Sequence, residues 1–323
     1  MTERADAFSI IADKAALGRR IDAYLATKIE GCSRAYIAGL IRSGQIRLHD
    51  RSVKPGYRLR PGDEILGRIP APSPRFDVSP EPIPLDILFQ DRDLVVINKP
   101  ADLVVHPAPG HPSGTLVNAL LHHCPDLVGI AGEIRPGIVH RLDKDTTGII
   151  VAAKNPNAQA SLAAQFKSRS IQKKYLAVVH GEMEGTTGRI TLPIGRHPVD
   201  RKKMSTRATS ARRAETHWTV AEAFTEASLV DIDLLTGRTH QIRVHFAAIR
   251  HAVIGDPLYG PKNAAAHSPR IAALLSSIQH QMLHAWQIRF RHPASSAEMH
   301  FKAPLPQDMA NLIQSLRTLH EGP

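Results

Sequence analysis

Hydrophobic residues near the amino terminus follow the three-to-four-residue spacing of a helix and then the alternation of a strand. The helical pattern ends at Gly44 and comprises Arg20-Ile-Asp22, Leu25, Ser33-Arg34, Ile37 and Leu40-Ile41. A glycine after a helical run is a common stop signal, and the alternating Ile46-Arg-Leu48 that follows is typical of a short strand. Proline and glycine then predict turns at residues 54–58 and 61–63.

Six prolines between Pro70 and Pro84 interrupt this patterning and predict a semi-rigid linker at about residues 70–84. Beyond it, short apolar runs alternate with helical spacings. Strands are predicted at 94–97, 149–153, 175–179 and 229–235, and helices at 114–121, at 158–166 and along the face of Leu305, Met309, Leu312, Ile313 and Leu316. The elements predict an α+β protein with a small domain at residues 1–75 and a larger one at residues 85–323.

Basic residues outnumber acidic ones, with 41 Lys and Arg against 30 Asp and Glu, for a net charge of +11. Residues 1–75 alone carry 14 basic and 8 acidic residues, a net +6. A second basic run, residues 196–213, includes Arg201, Lys202 and Lys203 and has seven basic residues and one acid. This excess favours a polyanionic partner, a nucleic acid before an acidic membrane surface. We expect the second run to grip phosphates, although a loop can also be basic for solubility alone.

The remaining composition narrows the class of protein further. Cys32 and Cys124 are too few for a disulfide framework and suit a reducing cytosol, so we expect a cytoplasmic protein. No apolar run approaches the roughly 18 residues of a membrane span, and residues 1–15 lack a secretory signal pattern. Neither residues 122–124 nor the pair His240 and His245 has a four-ligand zinc spacing, so we expect no metal.

The most informative segment is polar and lies directly before a predicted strand: Gly137-Ile-Val-His-Arg-Leu-Asp-Lys-Asp-Thr-Thr-Gly148. A polar loop beside a buried strand is a common location for catalytic groups. Asp143 lies among His140, Arg141 and Lys144, and neighbouring cations favour the ionised carboxylate, which suits a nucleophile or a base. The alternative interpretation is a solvated surface turn with no chemistry.

Three further motifs follow in order. They are residues 165–166 with Lys174-Tyr175-Leu-Ala-Val-Val-His-Gly181, then Leu235-Thr-Gly-Arg-Thr-His-Gln-Ile-Arg-Val-His245 with Gly255-Asp-Pro-Leu-Tyr-Gly260, and then Leu283-His-Ala285. Together the four motifs resemble those of the pseudouridine synthases, in the branch marked by His-Arg-Leu-Asp, over about residues 80–305. Asn98-Lys-Pro100 and residues 106–111 and 132–136 add a resemblance to the subfamily that acts on large-subunit ribosomal RNA. The resemblance implies a mixed, mainly antiparallel central sheet flanked by helices.

Pseudouridine formation breaks the bond from ribose C1′ to uracil N1 and joins C1′ to C5, with no redox change and no group donor. The resemblance implies that Asp143 is the catalytic carboxylate, whether it adds to C6, attacks C1′ or drives a glycal route. Arg243 matches the arginine that pairs with this aspartate, and Tyr175 matches the tyrosine that packs against the base and is a candidate relay for the C5 proton. Arg141 matches the residue that enters the RNA stack when the uridine flips out, and we expect His140 beside it to contact RNA.

Residues 1–75 resemble the S4 RNA-binding module, a small helix pair with short strands. The resemblance implies RNA contacts by Arg20, Ser33, Arg34 and Lys54. Where the module usually has an Asn-Gly turn, this chain has His49-Asp50-Arg51, so we expect a differently shaped turn there. The alternative is a small basic domain that makes no RNA contact.

Two rival functions remain. A catalytically silent RNA-binding or ribosome-assembly protein would have lost at least one of Asp143, Tyr175 and Arg243, and all three are present. A glycosidase needs a second acid with a raised pKa, and Asp145 is surrounded by cations and threonines. We therefore expect an enzyme that isomerises uridines in large-subunit ribosomal RNA as a monomer, with RNA as its partner and with no cofactor, metal or membrane partner. We also expect Thr239 to cap the helix that carries Arg243.

Overall fold

The structure is a computed structural model and describes residues 6–29, 32, 34–69, 78–108, 110–125, 127, 137–261 and 268–321. Its backbone groups into two units, residues 1–75 and 76–323. The first unit contains β1 (Asp6–Ile11), a 3-10 turn (Lys14–Ala16), α1 (Ile21–Lys28), α2 (Arg34–Arg42), β2 (Ile46–Leu48) and β3 (Glu64–Ile69). The strands form an antiparallel sheet in the order β1-β3-β2.

The helices of this unit bury one apolar face each against the sheet. Ile21 and Leu25 of α1 and Ile37 and Ile41 of α2 are almost fully buried, and Ile65 of β3 lies in the same cluster. The predicted stop after α2 is confirmed, since Gly44 has a φ of +76° and the helix ends two residues before it. The helical spacing of these apolar residues is therefore divided between two helices, which form the pair on short strands that the resemblance implies.

The turn after β2 corrects a prediction. His49 and Asp50 have φ values of 46° and 57°, and the backbones of Leu48 and Arg51 exchange hydrogen bonds of 2.9 and 2.8 Å. Two left-handed residues between paired strands are what an Asn-Gly hairpin turn provides, so the expected difference in shape is wrong. Side-chain contacts help to hold the turn, because His49 Nε2 lies 3.3 Å from Asp63 Oδ1 and Asp50 Oδ1 accepts from Arg47 at 3.2 Å.

The second unit is built on a nine-stranded sheet in the order β4-β5-β6-β14-β7-β13-β12-β8, with β15 pairing with β14. Only the pair of β6 and β14 is parallel among the pairings of this sheet. A separate small sheet has the order β10-β9-β11. The strands are β4 (Asp86–Gln90), β5 (Leu94–Lys99), β6 (Thr147–Ala153), β7 (Gln172–His180), β8 (Thr187–Ile190), β9 (Ile194–Arg196), β10 (Met204–Ser205), β11 (Ala211–Arg212), β12 (Thr216–Phe224), β13 (Ala227–Leu234), β14 (Leu283–Arg291) and β15 (Glu298–Lys302).

Helices cover both faces of the large sheet, which confirms the predicted α+β architecture. They are α3 (Leu116–His123), α4 (Pro156–Ser168), α5 (Gln241–Ala248), α6 (Pro269–Ser276) and α7 (Gln307–Glu321). Alternate residues of β5 and β6 enter two different cores: Val95 and Ile150 pack with α3 and α5, whereas Val96 and Val151 pack with α4. Helices α6 and α7 cover β7 and β12 in a further apolar cluster. Strand β6 is covered on both faces and buried along its whole length, and after Thr147 it contains only glycine and apolar residues.

Two boundaries differ from the predictions. Leu305 precedes α7 and is 38% exposed, whereas the other four residues of its predicted face are buried in the helix. Residues 70–77 of the predicted linker lie outside the described residues, but residues 78–84 are not a free spacer. Asn118 of α3 bonds the backbone of Ser79 and Glu81, and Ile83 packs against the main core. The linker prediction therefore extends too far toward the carboxyl terminus, because apolar residues among the prolines bury themselves.

Candidate active site

The loop that carries Asp143 leads directly into β6, in the centre of the large sheet. Strand β14 lies between β6 and β7: it runs parallel to β6, with His284 opposite Thr147, and antiparallel to β7. The loop before β6 and the carboxyl end of β7 therefore lie at the same end of the sheet. Gly148 has a φ of +105°, and a Cβ there would lie 2.3 Å from the carbonyl oxygen of Ala285. Only glycine allows β6 and β14 to approach this closely at the base of the loop.

A buried guanidinium joins two carboxylates in this loop region. Arg243 Nη1 donates to Asp143 Oδ2 at 3.0 Å, and Arg243 also donates from Nε and Nη2 to both oxygens of Asp256, at 2.6 and 2.8 Å. The side chain of Asp256 is fully buried, whereas that of Asp143 keeps 17% of its surface exposed. Arg243 is therefore anchored by Asp256 and directed at Asp143, which leaves Asp143 accessible.

The carboxylate of Asp143 lines a cavity of about 430 Å³ that also borders Tyr175, Arg141 and Phe166. Tyr175 lies on β7, and burial, reinforced by the negative charge of Asp143, raises the pKa of its phenol well above the usual value. A second cavity, of about 340 Å³, shares Arg141, Asp143 and Arg243 with the first. Asp143 thus lines both cavities, and Tyr175 and Phe166 make the wall of the first one partly aromatic.

Two of the charged neighbours predicted for Asp143, His140 and Lys144, have other partners. Burial lowers the pKa of His140 to about 3, so its ring is neutral; its Nε2 accepts the backbone N–H of Val151, and it stacks on Phe166. Lys144 donates to Asp102 at 2.6 Å. The prediction that His140 and Lys144 act as cations beside Asp143 is therefore wrong, and Arg243, a hundred positions away, donates to its carboxylate.

Lys99, for which the sequence predicted no role, holds the backbone of the loop that carries Asp143. Its ammonium group is fully buried and donates to the carbonyl oxygens of Pro100, Leu103 and Lys144, at 2.7, 3.0 and 2.7 Å. Burial lowers its pKa to about 8. A lysine closely following the apolar run Leu94–Ile97 was the available sequence signal, since such a cation is buried only where carbonyl oxygens replace its water.

The position of Arg243 depends on the turn between β13 and α5. The amide of Gln241 accepts from Thr236 Oγ1 at 2.8 Å and donates to Thr216 Oγ1 at 2.9 Å and to the carbonyl oxygen of Glu215 at 3.0 Å. The cap prediction is wrong here: His240, not Thr239, is the N-cap, with a φ of +54° and no side-chain capping bond. The buried side chain of Gln241 fixes the turn instead, because its Oε1 also accepts from the backbone N–H of Arg238.

Comparison with known proteins agrees with this geometry. Residues 93–248 match the family described as RNA pseudouridylate synthase, and residues 19–65 match the S4 domain. An uncharacterized RNA pseudouridine synthase of Bacillus subtilis is 44% identical over 308 residues, which cover 95% of this chain and 97% of that protein. The chain belongs to the RNA pseudouridine synthase family.

Other members extend the relationship over most of the chain. The protein named ribosomal large subunit pseudouridine synthase D in Zymomonas mobilis is 43% identical over 306 residues, covering 93% of this chain and 94% of that protein. The solved structure titled human RNA pseudouridylate synthase domain containing 4 has a TM-score of 0.58 and 29% identity, and covers 72% of this chain and 93% of that chain. The enzyme class is therefore an isomerase that converts uridine to pseudouridine in RNA.

The S4 domain of this synthase brings several predicted RNA-binding residues together. Arg20 and Arg34 both contact the buried carboxylate of Asp22, at 2.8 and 3.3 Å, while about half of each arginine side chain stays exposed. The turn at Lys54 pairs with the start of α1, since the backbone N–H of Asp22 donates to Pro55. Lys54 is exposed, and Ser33 lies outside the described residues. Arg20, Arg34 and Lys54 therefore lie on the first turns of the helices or beside them.

The basic run of the synthase domain, residues 196–213, begins at the end of β9 and supplies β10 and β11 of the small sheet. Arg201 and Lys202 are exposed at the turn between β9 and β10, and Lys203 is partly buried. Asp200 accepts the backbone N–H of Lys202 and shapes this turn. We use the name basic loop for residues 196–213. The structure therefore holds its cations on an ordered hairpin.

The described residues also include one group with metal-ligand atoms, formed by Asp91, Asp93 and His292. Protein partners already occupy these atoms: His292 Nε2 lies 2.8 Å from Asp91 Oδ2, and Asp93 Oδ1 accepts from Asn155 at 2.7 Å. These contacts give the three side chains a structural role around the turn between β4 and β5. No helix in the described ranges is long and apolar enough to span a bilayer.

Proposed function

We propose that this protein isomerises specific uridines in large-subunit ribosomal RNA and that Asp143 is its catalytic carboxylate. The observation that carries the proposal is an accessible Asp143 that an anchored arginine orients beside a cavity with Tyr175 in its wall. The ribosomal substrate is inferred from relatives such as the large subunit pseudouridine synthase D of Zymomonas mobilis, which is similar over most of both chains. A ribosomal RNA substrate also favours a cytoplasmic location, and we retain the monomer as the expected state.

The chemistry needs a positioned carboxylate and a site that keeps the detached base. The N1–C1′ bond breaks, the uracil turns, C5 joins C1′, and the C5 proton leaves while N1 gains one. Asp143 starts this sequence by adding to C6, by attacking C1′ or by removing a ribose proton for a glycal route. Arg243 directs the carboxylate into the cavity, since its guanidinium donates to Asp143 and is held on the other side by Asp256. No step requires a metal or an organic cofactor.

Tyr175 supplies a neutral aromatic surface for the base. Its raised pKa means that the phenol keeps its proton at neutral pH. A phenolate base for C5 is therefore unfavourable, and a proton relay requires Tyr175 to release its own proton as it accepts another. Packing against the uracil is the role that the position of Tyr175 supports best, because its uncharged ring lines the cavity beside Asp143.

Cations near the cavity are candidates for RNA contact. Arg141 is exposed and borders both cavities, which suits a side chain that takes the place of a flipped uridine. His140 borders the first cavity as a neutral ring. The further proposed contacts are Arg20, Arg34, Lys54, Arg201, Lys202 and Lys203, with Ser33 retained from the sequence.

The rival functions fit the site less well. A glycosidase requires a carboxylic acid that is protonated at neutral pH. Asp256 is the second carboxylate on Arg243, but hydrogen bonds from Arg243 and from two backbone N–H groups hold its pKa below the usual range despite its burial. A silent binding protein has no need for a buried Arg243 bridge that leaves Asp143 accessible.

The test is to incubate the purified protein with large-subunit ribosomal RNA and to map pseudouridine as carbodiimide adducts that resist alkali. We expect modified uridines with the wild type and none with Asp143→Asn. Mapping ribosomal RNA from cells that lack the gene identifies the positions concerned. Wild-type protein that modifies transfer RNA but not large-subunit RNA would contradict the proposed substrate.

A further inference from the structure

A line of polar contacts connects the basic loop to the catalytic carboxylate. The backbone N–H of Met204 in β10 donates to the hydroxyl of Tyr259 at 2.8 Å. The same hydroxyl lies 2.8 Å from Nδ1 of His240, and Nε2 of His240 lies 3.9 Å from Oδ2 of Asp143. Tyr259 and His240 thus occupy the space between the strand of the basic loop and Asp143.

The chemistry of these groups determines which atom donates and which accepts in each contact. The N–H of Met204 can only donate, so the Tyr259 oxygen accepts it. Burial raises the pKa of Tyr259 to about 12, so its hydroxyl proton remains and is available to His240 Nδ1. Burial also lowers the pKa of His240, so the imidazole is neutral at pH 7 and carries one ring proton. With Nδ1 accepting, that proton is on Nε2, which faces Asp143.

The opposite tautomer is disfavoured. It would turn an unprotonated Nε2 toward the carboxylate of Asp143, and two electron-rich atoms would then face each other. The backbone supports a specific role as well, because His240 is held in the left-handed region that residues with a Cβ rarely adopt. The side chain gains no capping bond in return. Among the described residues, its ring contacts Tyr259 and, at longer range, Asp143.

We propose that His240 is a positioning residue for Asp143 and that Tyr259 sets its tautomer and couples it to the basic loop. The gap of 3.9 Å is longer than a hydrogen bond, as is common in catalytic sites without substrate. With the uridine bound, His240 Nε2–H donates to Asp143 Oδ2, while the hydroxyl of Tyr259, held by the backbone N–H of Met204 in the basic loop, keeps the ring in this tautomer. Arg243 donates to the same oxygen, so Oδ1 is left to react with the uridine. This inference rests on the proposed catalytic role of Asp143.

The test is a double-mutant cycle in the full-length protein. Tyr259→Phe removes only the hydroxyl, and the ring remains beside Arg243, whose guanidinium carbon lies 5.3 Å from its centroid. His240→Asn keeps a residue that tolerates the left-handed backbone but withdraws the imidazole. His217→Asn is the matched control, because His217 is partly exposed on β12 and bonds Glu215 instead. Single-turnover rates at saturating RNA, RNA dissociation constants and urea midpoints are measured for each variant.

We expect each single variant to lose about ten-fold in single-turnover rate, the size of one hydrogen bond to a charged group, with the dissociation constant within about two-fold of the wild type. The double variant should be about as slow as the slower single one, since both changes interrupt one chain of contacts. The control should match the wild type. Rates that multiply to about a hundred-fold loss, or a raised dissociation constant with a normal rate, would overturn the proposal.

A second measurement separates this inference from the proposed function. Nitrogen-15 spectra of histidine-labelled protein, with His240 assigned by its loss in His240→Asn, report which ring nitrogen carries the proton. We expect the Nε2–H tautomer in the wild type and a mixture in Tyr259→Phe. A protonated Nδ1 in the wild type would refute the inference even if the enzyme is fully active. Conversely, the expected tautomer in a protein that forms no pseudouridine would refute the proposed function and leave the contact chain supported.

Discussion

Replacing Arg243 is the most demanding test of the site, because this one side chain makes three hydrogen bonds to two carboxylates. It bonds Asp143 once and Asp256 twice, and the side chain of Asp256 has no exposed surface. Lysine keeps the charge but not the planar fork, so Arg243→Lys cannot span both partners with the same geometry. Alanine also removes the charge and leaves the two carboxylates without their shared cation.

The magnitudes follow from burial. Breaking a buried ion pair on one side typically costs about 3–5 kcal/mol, and we expect a loss in this range in the unfolding free energy of Arg243→Ala. Lysine should cost less, since a cation remains. For turnover, a mis-aimed Asp143 should lower the single-turnover rate by at least about 100-fold in both variants, which corresponds to ~2.7 kcal/mol. RNA affinity should change little, because Arg243 is directed at carboxylates and not at phosphates.

The stability effect has a predictable pH dependence. In the wild type, Arg243 and the backbone N–H groups hold the pKa of Asp256 below its usual range, so its stabilisation is present at neutral pH and is lost as the pH falls through that lowered pKa. In Arg243→Ala, burial instead raises the pKa of Asp256 above that of the unfolded chain. The variant is then relieved of a buried charge as the pH falls, so the gap in stability should narrow between pH 7.5 and pH 5.

Urea unfolding at the two pH values and single-turnover assays at pH 7.5 check these expectations. Arg317→Ala is the control, since Arg317 makes an equally bidentate pair with Glu222 but on the exposed side of α7, where solvent screens the interaction. Its stability should change far less, and its rate not at all. An Arg243→Ala protein with wild-type stability, or one that loses only RNA affinity, would refute the reasoning.

Three further predictions concern the carboxylate, cofactors and the S4 domain. Asp143→Asn should abolish isomerisation while RNA binding persists, and more than trace single-turnover activity in the folded variant would contradict its role. Turnover on prefolded RNA should be unaffected by a chelator, and loss of activity that one divalent ion restores would contradict this. Removing residues 1–75 should weaken RNA binding and lower the slope of log K against log salt by about 0.7–0.9 for each lost phosphate contact, with isomerisation retained at high enzyme concentration. An unchanged slope would mean that the S4 domain makes no phosphate contacts and that the basic loop makes most of them.

Local periodicity was sufficient to predict elements whose form depends on contacts between residues close in sequence. The helical character of α1 and α2, the strand β13 and the buried face of α7 follow from spacing, because helix and strand geometry fix which side chains share a face, whereas the break between α1 and α2 was implied only by the S4 resemblance. The identity of Asp143, Tyr175 and Arg243 as candidates came from ordered motifs. Errors arose where local signals competed, as at His49-Asp50, where side-chain contacts stabilise a left-handed turn without glycine.

The sequence by itself determined which residue types are available for the chemistry, but only the tertiary structure decided which of them meet. Near Asp143 in sequence, burial makes His140 neutral and Lys144 pairs with Asp102. Arg243, a hundred positions away, donates to Asp143 instead. Asp256 and Lys99 acquired their roles only through a buried guanidinium and a ring of carbonyl oxygens. The physical reason is that the pairing of charges is set by desolvation and distance in the folded chain, and neither quantity can be read from spacing along the backbone.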